Sequence, residues 1–551
     1  MRASEWPEPM WSTILDASAR QWEAARRSAA AGGPRILVAT TMGSFQHALV
    51  VESLVAAGLT LRGASVDFLL CDQSLPACQM VKLNNDDPET LLAAERPSRC
   101  PSCFRRGADF LQPLGLTVHL LGDTITAVDR ANIRLLAATA PLDAIPTYTL
   151  DGCRVGEHAL AGSLRFLARG DLQDEPRGEA ILRRYFEASL LAVVGVDRLL
   201  AGQAYDVAVF NHGIYVPQGL IREACARRGV RVVTWNPAYR RRTFVFSHGD
   251  SYHHTMIDEP TATWSGLQLS DAQRAALADY LNGRRTGRED WIWFNKQPDE
   301  DADAVLQRLG LRPDRPIVTL LTSVVWDAQL HYAANAFPDM MAWIEFTVAH
   351  LAQRPDLQLV IRVHPAEATG TVPSRQRVAD ELARRFPALP GNVTVVPPDD
   401  GASTYVLLER SNAALIYSTK TGIEASCLGI PTIVAGEAWI RNKGFSLDAT
   451  SSEEYATYLD QLPFPGGLSH AERELALRYA YHFFFRRMLP IAPIEVGDKN
   501  QMTLVGTDLQ AFAEGGDPGL EVICRGILDG SPFIYDGAHI SGAGAALGGG
   551  F

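Results

Sequence analysis

The chain has no long hydrophobic run. None of its 551 residues fall in a segment approaching about eighteen consecutive apolar residues, which excludes an ordinary membrane-spanning helix. It also lacks a surplus of positive charge. Its 51 Lys and Arg face 63 Asp and Glu, for a formal net charge of -12. No global basic field exists to hold a nucleic-acid backbone, so nucleic acid is not an expected partner. The opening stretch "MRASEWPEPMWSTILDASARQWEAARRSAAAGG" is broken by charges and prolines and lacks the apolar core of a signal peptide. The expected location is therefore cytoplasmic, with membrane contact, if any, at the surface alone. Cysteine is sparse, at eight residues, and without a secretory signal these point to reduced thiols or a metal site before disulfides. What remains, 47% hydrophobic and 21% charged, is ordinary globular composition with length for at least two cores.

Residues 1–33 read as a helical lead-in. "PRILVAT" (34–40) is then a short apolar strand, "TMGSFQH" a Gly-containing loop, and 48–57 a helical pattern. Further strands are expected at 64–71, 116–121, 206–211 and 230–235, with a cysteine-bearing loop at 71–103 and a mostly helical insertion at 123–204. The charged, turn-rich stretch 282–304 separates this half from a second alternating series, with strands at 316–321, 357–363, 392–396, 413–417 and 431–436. Such alternation predicts an α/β protein of two doubly wound, Rossmann-like domains, 34–295 and 296–462, facing a cleft. Residues 463–535 are expected to pack as helices across both halves, and the low-complexity tail 536–551 to be mobile.

Two segments of the second half carry chemistry. "LQLVIRVHPAE" (357–367) places His364 directly after a buried strand, where an open α/β sheet presents its ligand. Pro365 fixes its own φ and biases His364 away from helix, holding the imidazole at the strand's mouth. Glu367 could orient His364 or lie exposed. In "AALIYSTKTGIEASCLGIPTIVAG", a strand meets a hydroxyl-rich loop and a helix start. The hydroxyls of Ser418, Thr419 and Thr421, the backbone N–H groups through Gly422 and the cation of Lys420 suit an anion. The plainer reading is that these hydroxyls cap the helix and that Glu424 only complements its dipole. Taken together with His364, they suit a nucleotide phosphate leaving group, with Glu424 accepting from ribose hydroxyls.

"RVHPAE", "YSTKTGIEASCLGIPTIVAG", "LLTSVVWDAQ" and "RNKGFSLDATSSEEY" resemble the bacterial capsule polysaccharide biosynthesis family, over about residues 34–459. The resemblance implies the GT-B glycosyltransferase fold. It also implies that His364 with Pro365, and Ser418 with Thr419, hold the phosphate of a nucleotide sugar, CMP-linked as in related sialyl and Kdo transferases. Such a transferase also needs a group that manages the acceptor's proton. Asp327 in "VVWDAQ" is the first candidate, with helix capping as its alternative. His47 in "GSFQH" is the second, with a hydrogen bond to its own loop as the alternative. Where relatives often end a strand on glutamate, this chain has Asn236, so that residue's role is open. Arg240, Arg241 and Arg242 could meet a phosphate or an anionic acceptor, or form a solvated run.

Cys71 and Cys78 in "CDQSLPAC", with Cys100 and Cys103 in "CPSC", offer four thiolates for zinc or an iron–sulfur cluster, with buried free thiols as the alternative. Members of the resembling family sometimes carry a similar cysteine set here. The leading expectation is a glycosyltransferase moving a sugar from a nucleotide donor to a surface glycan or other acceptor. The alternatives are a nucleotide-sugar epimerase, a CDP-glycerol-type polymerase, or a metal-bearing assembly subunit whose transferase site has decayed.

Overall fold

The computed structural model describes residues 10–536 apart from 84–85, 288, 292–297, 328–334, 371, 498–499 and 507. The predicted glycine-rich tail and parts of the predicted junction at 282–304 lie outside the described residues. Each apolar run read as a strand is one. In the first half these are β1 (Arg35–Thr41), β2 (Ser65–Leu70), β3 (Thr117–Leu120), β4 (Val207–Asn211) and β5 (Arg231–Pro237). They pair in parallel in the order β3-β2-β1-β4-β5. The second half builds β7 (Ile317–Leu321), β8 (Gln358–Arg362), β9 (Val393–Val396), β10 (Ser411–Ile416), β11 (Thr432–Val434) and β12 (Leu447–Asp448). Their order, β9-β8-β7-β10-β11-β12, repeats the same winding. Each sheet therefore reverses direction once, between β1 and β4 and between β7 and β10, and leaves a crevice beyond its strand ends there.

The first sheet is not wholly parallel. β6 (Thr243–His248) returns antiparallel on β5, and β13 (Leu489–Pro490) adds antiparallel to β6. The arginine run lies in the β5–β6 turn, where Arg242 takes a left-handed φ of 60°. All three arginines there bond backbone carbonyls: Arg240 to Phe484, Arg241 to Asp290 and Arg242 to Ile494 and Ala492. They peg this turn to neighbouring segments, while Arg241 stays exposed to solvent.

The helix Gln46–Leu61 is mostly apolar, and residues 48–60 are all buried, Glu52, Ser53 and Thr60 among them. It lies between the first sheet and the helix Pro518–Asp529, whose Leu520 and Ile523 share its core. Burying a Leu or Val side chain there stabilises the fold by about 1.5–3 kcal/mol. Gly33, which leads into β1, cannot be larger, since a Cβ would sit 1.7 Å from the Gly63 carbonyl oxygen.

Packing does not follow the charge-based junction. In the helix Asp271–Arg285, Leu277 and Tyr280 share a core with Ile416, Ile423, Tyr479 and Phe484 of the second half. The helix His470–Tyr481 lies in that core too, after which the chain crosses back to supply β13. Among the described residues no helix is long and apolar enough to cross a membrane.

Candidate functional site

The second crevice is built on β7, which lies between β8 and β10. At its end, the Thr322 hydroxyl accepts the His364 backbone N–H at 2.9 Å, on the β8 side. The next residue, Ser323, accepts the Ser418 hydroxyl at 3.2 Å, on the β10 side. Neighbouring strands lie about 4.8 Å apart, so His364 and Ser418 flank a mouth roughly 10 Å wide. The two sequence-predicted segments therefore open on one place.

His364 has a defined tautomer. Its Nδ1 accepts the Ala366 N–H at 3.1 Å, which leaves the proton of the neutral ring on Nε2. Pro365, at φ -56°, starts the short turn Ala366–Thr369 that supplies that N–H. Burial, with the Lys420 and Arg362 cations behind it, pushes the imidazole down to about 4. At neutral pH it is an uncharged hydrogen-bond donor.

The helix that follows Ser418, Thr421–Cys427, has only seven residues, and its N-cap Lys420 makes no side-chain cap. Among the described residues the Thr419 hydroxyl bonds locally, accepting the Thr421 N–H at 3.4 Å and donating to the Thr421 hydroxyl at 3.3 Å. Gly422 is a packing glycine, since a Cβ would meet Ile416 at 2.5 Å. So short a helix offers a small dipole, and the stronger field at this corner is that of Lys420.

Glu424 sits deeper than the ribose role requires. It is buried and accepts from Arg284, from the Tyr405 hydroxyl at 2.6 Å and from Lys420 at 3.4 Å. Burial pushes its carboxyl up, but Arg284, Lys420 and Tyr405 together outweigh that and bring it to about 2. Arg284 continues to Asp290, which also accepts the Tyr280 hydroxyl at 2.9 Å. Glu424 is thus the hub of a buried ionic network, and one of its tasks is to hold Lys420, whose ammonium also lies 4.8 Å from the Tyr239 ring centre.

Across the cleft stand the strand ends of the first half. A cavity of about 560 Å³ is lined on that side by Asn211, His212, Tyr215 and Asn236, and on the other by Trp326, Asp327 and Ala366. Tyr215 donates its hydroxyl to Asp327 at 2.8 Å, directly between the halves. A second tie lies nearby, where Gln376 accepts the Gly170 N–H at 2.7 Å and donates to Asp171 at 2.7 Å. The capping alternative for Asp327 involves 328–334, outside the described residues.

Other expectations need correction. His47 is absent from the lining of this cavity and donates to the Asn500 carbonyl at 2.8 Å, its ring packed against Phe45 and Trp291, which with Asn500 do line it. Phe45 takes its place on the wall. Glu367 is neither exposed nor bonded to the imidazole. It is buried and accepts the Val378 N–H at 3.0 Å, which fixes the loop between. Asn236 accepts from Asn211 at 3.0 Å and brings no titratable group to the cleft. His212 was missed, although "FNHG" places it after β4 as "VHP" places His364 after β8, and its left-handed φ of 67° marks it. Tyr215 gave no sequence signal, because what matters is a partner in the other half. Among the described residues no three His, Cys, Asp or Glu side chains come close enough to hold a metal ion, so the four cysteines form no compact single-ion site. All eight cysteines are free.

Comparison with known proteins gives the following. No curated protein matches the chain. Solved structures with partial likeness include the beta Kdo 2,4 transferase of KpsC from Thermosulfurimonas dismutans, at 14% identity and TM-score 0.33 over 52% of this chain and 83% of that one. The UDP-GlcNAc 2-epimerase of Methanocaldococcus jannaschii, in complex with UDP-GlcNAc and UDP, reaches 10% identity and TM-score 0.27 over 81% and 98%. Likeness at that level assigns no role to any residue here. The sequence match is more specific: residues 294–481 match the family described as capsule polysaccharide biosynthesis protein. That span holds the His-Pro and Ser-Thr segments and both flanks of the crevice on β7, and covers about a third of the chain.

Proposed function

We propose that this protein is a glycosyltransferase that moves a sugar from a nucleotide-linked donor to a glycan acceptor, with the donor phosphate at the β7 crevice. The observation that carries the reading is the joining of His364 and Ser418 through consecutive hydroxyls, Thr322 and Ser323, in the same segment after β7 as Asp327, whose carboxylate Tyr215 meets from the first half. The Nε2–H of His364 and the Ser418 hydroxyl donate to the phosphate, and Lys420 opposes its growing charge as the sugar–phosphate bond breaks. The acceptor hydroxyl attacks the anomeric carbon from the side of the first half, and Asp327 takes its proton. Tyr215 orients that carboxylate. Contact between the halves excludes water, so transfer outruns hydrolysis.

The test is release of free nucleotide from a panel of nucleotide sugars, with and without glycan acceptors, in wild type and in His364→Ala. Acceptor-dependent release, lowered at least about tenfold in His364→Ala, supports the reading. Conversion of the donor sugar without acceptor contradicts it in favour of an epimerase. Nucleotide binding without turnover on any acceptor contradicts it in favour of a non-catalytic subunit.

A further inference from the structure

We infer that Lys82 and Arg165 form an anion site on the first half's wall of the cleft, and that the glycan acceptor carries a carboxylate or phosphate group that docks there. This rests on the glycosyltransferase reading and names the class of its acceptor. Among the described residues, the Lys, Arg, Asp and Glu side chains that line the cavity of about 560 Å³ between the halves are Lys82 and Arg165 from the first half and Asp327 from the second.

The wall is held by bonds on both sides of the pair. Arg165 lies on the helix Val155–Leu167, and its Nη1 donates to the Gln79 carbonyl at 2.7 Å. Gln79 in turn donates its N–H to the Val216 carbonyl at 2.9 Å, and the Val81 N–H turns back onto the Cys78 carbonyl at 3.0 Å. The loop that carries Lys82 is thereby fixed against the wall. The Arg165 guanidinium stands 5.0 Å from the Tyr215 ring centre, and the hydroxyl of the same ring meets Asp327 at 2.8 Å. Cation and carboxylate are thus set at the face and the tip of one phenol, a span that a single sugar residue covers.

What the pair lacks is an acid. Among the described residues neither Lys82 nor Arg165 pairs with a carboxylate. Burial, and then the Arg165 and Arg99 cations, push the Lys82 ammonium down to about 8. Asp86 does not answer them, since it is taken by Arg99 at 3.5 Å and by the Ser98 hydroxyl at 2.9 Å. Two half-buried cations without a partner repel each other and weaken the ligand-free fold, and a bound anion removes that cost while meeting the guanidinium's fork of donors. A chain of net charge -12 repels an acidic glycan over most of its surface, so a local pair of cations is what such an acceptor requires.

The experiment is calorimetric titration of glucuronate, glucose 6-phosphate and glucose into the full chain, ligand-free and saturated with its preferred nucleotide, in wild type, Lys82→Met and Arg165→Gln. At least one of the two anions should bind about tenfold or more tighter than glucose, and both variants should lose that advantage while glucose binding stays as in wild type. Which anion binds tells a carboxylate-bearing acceptor from a phosphate-bearing one. Lys82→Met should also unfold at the wild-type temperature or above it, because the repulsion is relieved, whereas loss of a structural lysine would lower the midpoint. Anions bound no tighter than glucose, or undiminished in Lys82→Met, overturn the site. Nucleotide affinity lowered in Lys82→Met moves the pair to the donor phosphate and overturns the acceptor role. Arg165→Gln also loses the bond to Gln79, so Lys82→Met decides alone where that variant fails to fold. No arm needs turnover, so failure of the transferase reading, seen as conversion of the donor without acceptor, is read separately.

Discussion

Replacing Glu424 with Gln separates two roles that the sequence leaves open. As a ribose acceptor on the wall, it would change donor affinity and leave the unliganded protein's stability alone. As the hub seen here, it holds Arg284 and Lys420, with side chains of Arg284 and Glu424 only 5% and 3% exposed. Gln has the same shape and keeps an acceptor for Tyr405 but removes the charge. The carboxyl is held at about 2 against an ordinary value of 4.5, and that gap corresponds to about 3 kcal/mol. Removing one partner of a buried pair costs about 3–5 kcal/mol, which agrees. Thermal unfolding of the ligand-free variant at pH 7 should show its second-half transition lowered by roughly 6–12 °C, at about 2–4 °C per kcal/mol for a domain of this size. The sign follows from the lowered carboxyl: its contribution is present above the unfolded value near 4.5 and is lost as pH falls toward 2. The gap between wild type and variant should therefore narrow on acidification. An unchanged midpoint at pH 7 with a raised donor KM refutes the hub and restores the ribose role.

Three further outcomes follow from the same geometry. Tyr215→Phe removes a hydrogen bond to the Asp327 carboxylate, of the kind worth about 1.5–3 kcal/mol. Transfer should slow roughly tenfold. Transfer at the wild-type rate argues against Asp327 as the base. His254 lies between Asp250 and Glu437, at 3.2 Å from each. Burial pushes it down, but the two carboxylates outweigh that and raise it to about 10. Its contribution is full below the unfolded value near 6.5 and fades as pH rises toward 10, so wild-type stability should decline over that window by about 1–3 kcal/mol. His254→Ala should be less stable at pH 6 and show a flatter profile, and parallel profiles would contradict this. In the ligand-free protein, the His364 ring should show no NMR titration above about pH 5, given its value of about 4. A midpoint near 6.5 would make it a cation at the crevice instead.

The parallel strands were legible because a strand covered on both faces reads as an unbroken apolar run. β6 was not, because "TFVFSH" follows three arginines and alternates between two cores, with Phe244 and Phe246 facing one and Val245 the other. His364 and Ser418 could be placed at one sheet edge from strand order alone, and proline gave the histidine its constraint. The partners of Glu424 and His47 were not legible for a common reason. Their partners, Arg284 and Asn500, lie 140 and 453 residues away, and no local pattern announces such a partner. The same holds for Tyr215 and Asp327, 112 residues apart, whose pairing exists only once the two halves face each other.

The most direct test of the shared phosphate site is calorimetric titration of nucleoside mono- and diphosphates, with the matching nucleosides as controls, into wild type, His364→Ala and Ser418→Ala. Each variant should bind its preferred nucleotide at least about tenfold more weakly, the loss of one hydrogen bond to a charged group, while nucleoside affinity stays as in wild type. Nucleotide binding that is undiminished in both variants would place the phosphate elsewhere and contradict the account.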